Sequence, residues 1–404
     1  MINISKIFAD TAHPRLGGDA SELESANYII DRCREIGLDA RLDPFEVDMA
    51  DIKTAKLIVD GREIECKGYL CAGCGEVEAP IYYLRSFDKF SVAECRGKIV
   101  LIDGYIRYWV YHDIFDNGAL GFITCSGDIN QENRDIDQRE LRSYVSKGDI
   151  IPGVNINVHD AVEIVRSGAK TAKIILDQEQ YKGQSHNVIA ELPGEIDEYI
   201  ILTAHYDTTS LSQGAYDNMS GSVGLLGIAE YFVNHPHRYG LRFMWCGSEE
   251  RGLLGAKAYC SNHADELAKV VLDINMDMIG CIMGVMHAFC SSEEKLVGYI
   301  EYFGREYGMT IVPHHELHSS DSTPFADNGV PAISFGRRAP DNLATIHDRF
   351  DTVSLLSEEQ MRKDIAMITA FTDRMANAKN MPVVREIPEK IKDKLDIYLF
   401  RKRP

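Results

Sequence analysis

From Ser185 to about Ala376, short apolar runs that read as strands alternate with longer stretches of helical periodicity. No other feature of the chain constrains its fold as strongly. Strand-like runs lie at 187–192, 199–205, 241–246, 270–275, 285–289, 310–313 and 332–335, with helical patterns at 220–234, 253–262, 293–307 and 358–376 between them. This order predicts an α/β fold: a mixed, mainly parallel sheet with helices on both faces. In open sheets of that kind, ligands bind beyond the carboxyl ends of the strands. The residues that follow each run are therefore the place to look for chemistry.

The first such strand ends in Thr203-Ala204-His205-Tyr206-Asp207. His205 can offer one ring nitrogen to a metal while Asp207 fixes the other, although a purely structural histidine fits the same pattern. Asp217 sits in Gly214–Gly221, where an apolar helix begins. A carboxylate, amide or hydroxyl there caps the helix, or Asp217 is held rigidly enough to bridge two metals. Asn218-Met219-Ser220 also reads as a glycosylation sequon, unused in a chain that is not exported. Glu249 and Glu250 follow the strand that ends at Cys246. Adjacent glutamates point in different directions, so one can ligate while the other handles protons. Asp277 lies between Met276 and Met278, and a desolvated carboxylate is costly unless a cation or hydrogen bonds compensate. His347, in Ile346–Thr352, supplies a second imidazole before the last long helix.

Composition narrows the class. The chain has 404 residues, which suits two or three domains, with 45% apolar and 26% charged residues as in ordinary folded proteins. Its net charge of −19 argues against a nucleic-acid partner, since phosphate binding needs a basic face. The N-terminus carries no long apolar stretch behind basic residues, and the run 279–290 is too short to span a bilayer. No membrane partner and a cytoplasmic location are expected. Ten cysteines without an export signal read as reduced thiols. Cys71 and Cys74, with Cys66 nearby, have the spacing of half a zinc site but no matching second pair.

The texture changes between about 51 and 182 to short strands, turns and a long polar loop at 128–147. This segment reads as a separate β-rich module, sharing no sheet with the motif strands and contributing no metal ligand. It is inserted into a domain made of residues 1–50 and 183–380, and 381–404 forms a packed or frayed tail.

The ordered series His205, Asp217, Glu249-Glu250, Asp277 and His347 resembles the co-catalytic di-zinc exopeptidases of clan MH, which include bacterial leucyl aminopeptidase and glutamate carboxypeptidase. The runs Ser185–His205 and Ser320–Phe335 and the helix after Arg15 are similar to the same family, over about residues 10–50 and 185–376. Arg96–Asp103, Gly118–Ile123 and Ile151-Pro152 resemble the protease-associated domain often inserted in it. The resemblance implies two Zn²⁺ per chain: one on His205 and Asp277, the other on Glu250 and His347, with Asp217 bridging. It makes Glu249 the general base and Asp207 the residue that orients His205. A peptide is the implied substrate, and an aminopeptidase the implied enzyme. Alternatives are a carboxypeptidase or dipeptidase holding a substrate carboxylate on Arg337 or Arg338, a one-zinc glutaminyl cyclase, and a receptor-like binding protein without catalysis. Two segments depart from the family pattern, Ser320–Phe325 and Asp348–Phe350, and both are expected to wall the substrate pocket.

Overall fold

The computed structural model describes residues 2–341 and 343–404. The chain starts with α1 (Ile4–Asp10) and α2 (Ala20–Glu35), then β1 (Ala40–Val59), β2 (Arg62–Ile64), β3 (Lys67–Gly68) and β4 (Gly75–Tyr83). Next come α3 (Lys89–Ala93), β5 (Ile99–Ile102), α4 (Tyr108–Asp116), β6 (Gly121–Ser126), α5 (Ser143–Ser146), β7 (Gly153–Asn157) and α6 (Val158–Ser167). A second long strand, β8 (Thr171–Leu192), leads into β9 (Ile196–His205), α7 (Ser220–Phe232), β10 (Tyr239–Cys246), α8 (Leu254–Asn262) and β11 (Val270–Met276). The remainder is β12 (Val285–Ser291), α9 (Lys295–Tyr307), β13 (Ile311–His314), α10 (Ser322–Asp327), β14 (Ala332–Arg338), α11 (Glu358–Ala376) and α12 (Glu389–Tyr398).

The chain divides into two compact units, one made of the residues up to Val47 together with Gln184–Lys402, the other of Asp48–Gly183. In the first, the strand order is β13-β12-β14-β11-β9-β10-β8. β9 lies parallel to β10 and β11, and β11 parallel to β14, whereas β12 runs antiparallel to β14 and β8 antiparallel to β10. The mixed, mainly parallel sheet with helices on both faces is thus borne out. Its period-2 alternation explains why the strands read as unbroken apolar runs. Leu241, Phe243 and Trp245 of β10 face a core shared with α2, α7, α9 and α11, while Met244 and Cys246 face a second core with α8 and α10. The C-terminal tail is packed: Ile391 and Leu395 of α12 are buried beside Ala326 and Ala332.

The second unit holds more strand than helix. Strands β4, β5, β6 and β7 are parallel, and parallel neighbours require crossovers, which α3 and α4 help to supply. The expected absence of a shared sheet is corrected. β8 pairs with β4 through Thr171–Leu176 and with β10 through Val188–Leu192, so one strand takes part in both sets of pairings. Among the described residues, no helix is long and apolar enough to cross a membrane.

Candidate metal centre

Three parallel strands end level with one another. Cys246 of β10 pairs with His205, the last residue of β9, and Asn275 of β11 pairs with Thr203. Glu249 and Glu250 follow in the turn after β10, and Asp277 follows β11 directly. Asp217 stands in an irregular turn, Ala215–Met219, immediately before α7, and its peptide bond to Asn218 is cis. His347 comes from the loop between β14 and α11. Residues up to about 140 positions apart in sequence therefore meet at the carboxyl edge of the sheet.

The two histidines divide the carboxylates between them. His205 Nε2 lies 3.2 Å from Asp217 Oδ1, 3.8 Å from Asp277 Oδ1 and 4.0 Å from Glu249 Oε2. His347 Nε2 lies 3.1 Å from Asp217 Oδ2 and 3.1 Å from Glu250 Oε1. Asp217 thus gives one oxygen to each side. Two groups spaced to hold a metal ion result: His205, Asp217 and Asp277, and Asp217, Glu250 and His347. Glu249 and Glu250 do face different partners, and Glu249 belongs to neither group.

Buried polar side chains hold this edge in place. Asp207 accepts hydrogen bonds from the backbone N–H groups of Glu249 at 2.9 Å and Glu250 at 3.1 Å, and its carboxylate stands 3.4 Å from His205 Nδ1. It therefore fixes the glutamate turn as well as the imidazole. Asn218 Nδ2 donates to the Met276 carbonyl, and its Oδ1 accepts from Gly221 and Met278 N–H. Asn218, rather than Asp217, thus serves the helix start, and its complete burial leaves the sequon closed to glycosylation. Ser320, in the departing segment Ser320–Phe325, donates to Asp277 Oδ2 at 2.7 Å.

Sequence reasoning missed three further supports. Arg15 is fully buried and donates to the carbonyls of Thr11, His13, Tyr206, Gln213 and Gly214, tying down the loop between Asp207 and Asp217. Glu22 accepts from Ser248 N–H at 2.8 Å and from the Ser185 hydroxyl at 2.9 Å, directly behind the glutamate turn. Asp351 accepts from the N–H groups of Tyr216 at 2.7 Å and Asp217 at 3.0 Å. One signal was available for Glu22: it lies on the apolar stripe of α2 with Ala26, Ile29 and Cys33, where a carboxylate has no reason to be unless it is bonded. Arg337 is engaged elsewhere. Its guanidinium meets Asp364 of α11 at 2.7–3.1 Å and donates to the Gly284 carbonyl, so of the two arginines expected to hold a substrate carboxylate only Arg338 is left.

Burial dominates the electrostatics, and crowding of like charge adds to it. Burial, then Glu250, Asp321 and Asp277, push the Glu249 carboxyl well above its usual range despite His205. Asp277 and Glu250 are raised too, burial again being the main cause. Burial works against a charged imidazole, yet the surrounding carboxylates carry His205 well above its ordinary value and His347 up to about 12. So much buried negative charge is unfavourable unless a cation offsets it. Asp277 Oδ1 is buried without a hydrogen bond, and it faces His205 Nε2 while Oδ2 is held by Ser320. Mixed imidazole and carboxylate donors suit zinc. The residues fit a metal site.

Comparison with known proteins agrees with this geometry. Residues 187–372 match the model of peptidase family M28. Aminopeptidase YwaD of Bacillus subtilis is 26% identical over 388 residues, 91% of this chain and 83% of that protein. Leucine aminopeptidase 2 of Arthroderma otae is 36% identical over 256 residues, 59% of this chain and 50% of that protein. Among solved structures, the zinc aminopeptidase BSAP from Bacillus subtilis aligns with a TM-score of 0.78 at 23% identity, covering 95% of this chain and 97% of that one. The aminopeptidase from Aneurinibacillus sp. strain AM-1 aligns with a TM-score of 0.74 at 22% identity, covering 94% and 95%. The expected resemblance to co-catalytic zinc exopeptidases is borne out by the family match, and the fold by the two structures.

Proposed function

We propose, for a chain whose residues 187–372 match peptidase family M28, that it is a zinc aminopeptidase releasing residues from the N-termini of peptides. The observation that carries this reading is the division of Asp217, one oxygen toward each histidine, which suits two ions with a shared ligand. His205, Asp217 and Asp277 would hold one Zn²⁺, and Asp217, Glu250 and His347 the other. Zinc bound there would supply a water of lowered pKa and polarise the scissile carbonyl. Glu249, the carboxylate left out of both groups, takes the proton of the attacking water and passes it to the departing amine. Asp207 keeps Glu249 and His205 in mutual register by bonding the backbone of one and facing the ring of the other. Peptide chemistry needs no nucleic-acid or membrane partner, and the cytoplasm suits a chain of free cysteines. Residues 51–182 are read as a protease-associated-like insertion.

The engagement of Arg337 by Asp364 weighs against a carboxypeptidase, and the retention of every candidate ligand weighs against a receptor-like protein. The test compares leucyl p-nitroanilide and short peptides in three forms: free, N-acetylated and C-terminally amidated. Cleavage of the free and amidated forms, with the acetylated forms inert, is expected. Dependence on a free C-terminus instead would point to a carboxypeptidase or dipeptidase and end the aminopeptidase reading.

A further inference from the structure

Beside the metal-binding edge lies a narrow recess. Asp277, one of the candidate ligands, lines it, as do Tyr216 and Met278, the chain neighbours of Asp217 and Asp277. Phe289 and His318 form the wall, their rings stacked 4.6 Å apart, with His314 against the other side of Phe289 at 4.7 Å. Arg338, the last residue of β14, lines the same recess, its guanidinium 5.7 Å from the Phe289 ring centroid.

The two arginines that line this recess are in different states. Arg337 is neutralised by Asp364. Arg338 is exposed, and among the described residues no carboxylate lies within ion-pair distance of it. The recess therefore brings together a candidate ligand carboxylate, Asp277, and an exposed positive charge, Arg338. Met278 and Phe289 give the same recess an apolar lining.

On the aminopeptidase reading given above, the geometry points to a preference for peptides whose N-terminal residue is acidic, glutamate or aspartate, with the side-chain carboxylate received by Arg338. An N-terminal lysine is disfavoured, because its ammonium group meets that guanidinium. A hydrogen bond to a charged partner contributes about ten- to a hundredfold in recognition.

The experiment measures kcat/KM of the zinc-loaded protein for glutamyl and lysyl p-nitroanilides, in the wild type, in Arg338→Ala and in Arg338→Glu. Arg305→Glu, on the exposed face of α9, controls for the change in net charge. The glutamyl-to-lysyl ratio should be about ten or more in the wild type, near one in Arg338→Ala, and inverted in Arg338→Glu, with Arg305→Glu like wild type. A wild-type ratio near one, or a ratio that Arg338→Glu leaves unmoved, overturns the proposal. So does an effect of Arg338 confined to peptides with a free C-terminus, which would assign it to the substrate α-carboxylate. Calorimetric titration with L-glutamate and L-lysine reads the recess without turnover. If no reporter is cleaved, the aminopeptidase reading has failed, and tighter glutamate binding that is lost in Arg338→Glu still upholds the recess, whereas equal binding sinks it.

Discussion

Two chemically identical side chains, Glu249 and Glu250, are adjacent in sequence and assigned different work. Glu250 lies 3.1 Å from His347 within a metal-binding group, and Glu249 stands outside both groups. Glu249→Gln should leave the metal content near normal and lower kcat by about 10²–10⁴-fold, since the change keeps shape but removes the proton acceptor. Glu250→Gln should instead lose or weaken one metal, and excess zinc should restore part of its activity. Elemental analysis beside a rate assay separates the two, and a reversed pattern would exchange the roles. Glu22→Ala tests the support behind them. It strands the buried Ser248 N–H and Ser185 hydroxyl, which should cost about 1–3 kcal/mol in a denaturant titration. At this scale the residues brought together at the sheet edge were legible, because each follows a strand. Arg15, Asp321 and Asp351 were not: they look like ordinary charged residues until the fold buries them, and Asp321 is pushed up to about 7 by burial, with Asp277 and Asp207 adding to the rise.

Between elements, the contact of α11 with β14 includes a buried ion pair beside the packing of Phe335 on Phe371. Arg337 and Asp364 are almost wholly enclosed, and Asp364 also accepts from Gly280 N–H at 2.9 Å. Removing one partner of such a pair leaves the other charge buried, at a cost of about 3–5 kcal/mol. Asp364→Ala should lower the unfolding free energy by that amount in urea, while Asp364→Asn, which keeps acceptor and shape, should lose less. Equal stability of all three proteins would show that the pair contributes nothing. Helix α11 itself was readable to its ends, since a Ser-Glu-Glu start and a long apolar period mark it. β1 and β8 were legible only in pieces. Their middles are polar and largely exposed or half-buried, as at Glu179–Lys182, so the apolar signal fades there. β7 and α6 were missed altogether. α6 buries only Ala161 and Ile164, too little for its periodicity to stand out.

For the molecule as a whole, metal binding and folding are linked. A metal that binds the folded chain and not the unfolded one stabilises it by about 2.7 kcal/mol at a hundredfold excess over Kd. Chelation should therefore lower the midpoint of thermal unfolding as well as abolish activity, and zinc should restore both at about two equivalents per chain. A single equivalent at full activity would favour the one-metal alternative. The overall architecture was legible because βα alternation over some two hundred residues admits few arrangements. The long strand shared through β8 was not, since pairing partners distant in sequence leave no local mark. The order of the ligands along the chain also bears on synthesis, which proceeds from the N-terminus. A nascent polypeptide that has emerged as far as Asp277 already carries His205, Asp217 and Asp277, but the other group stays incomplete for another seventy residues, until His347. Chains that end before that point lack His347 and with it the second group.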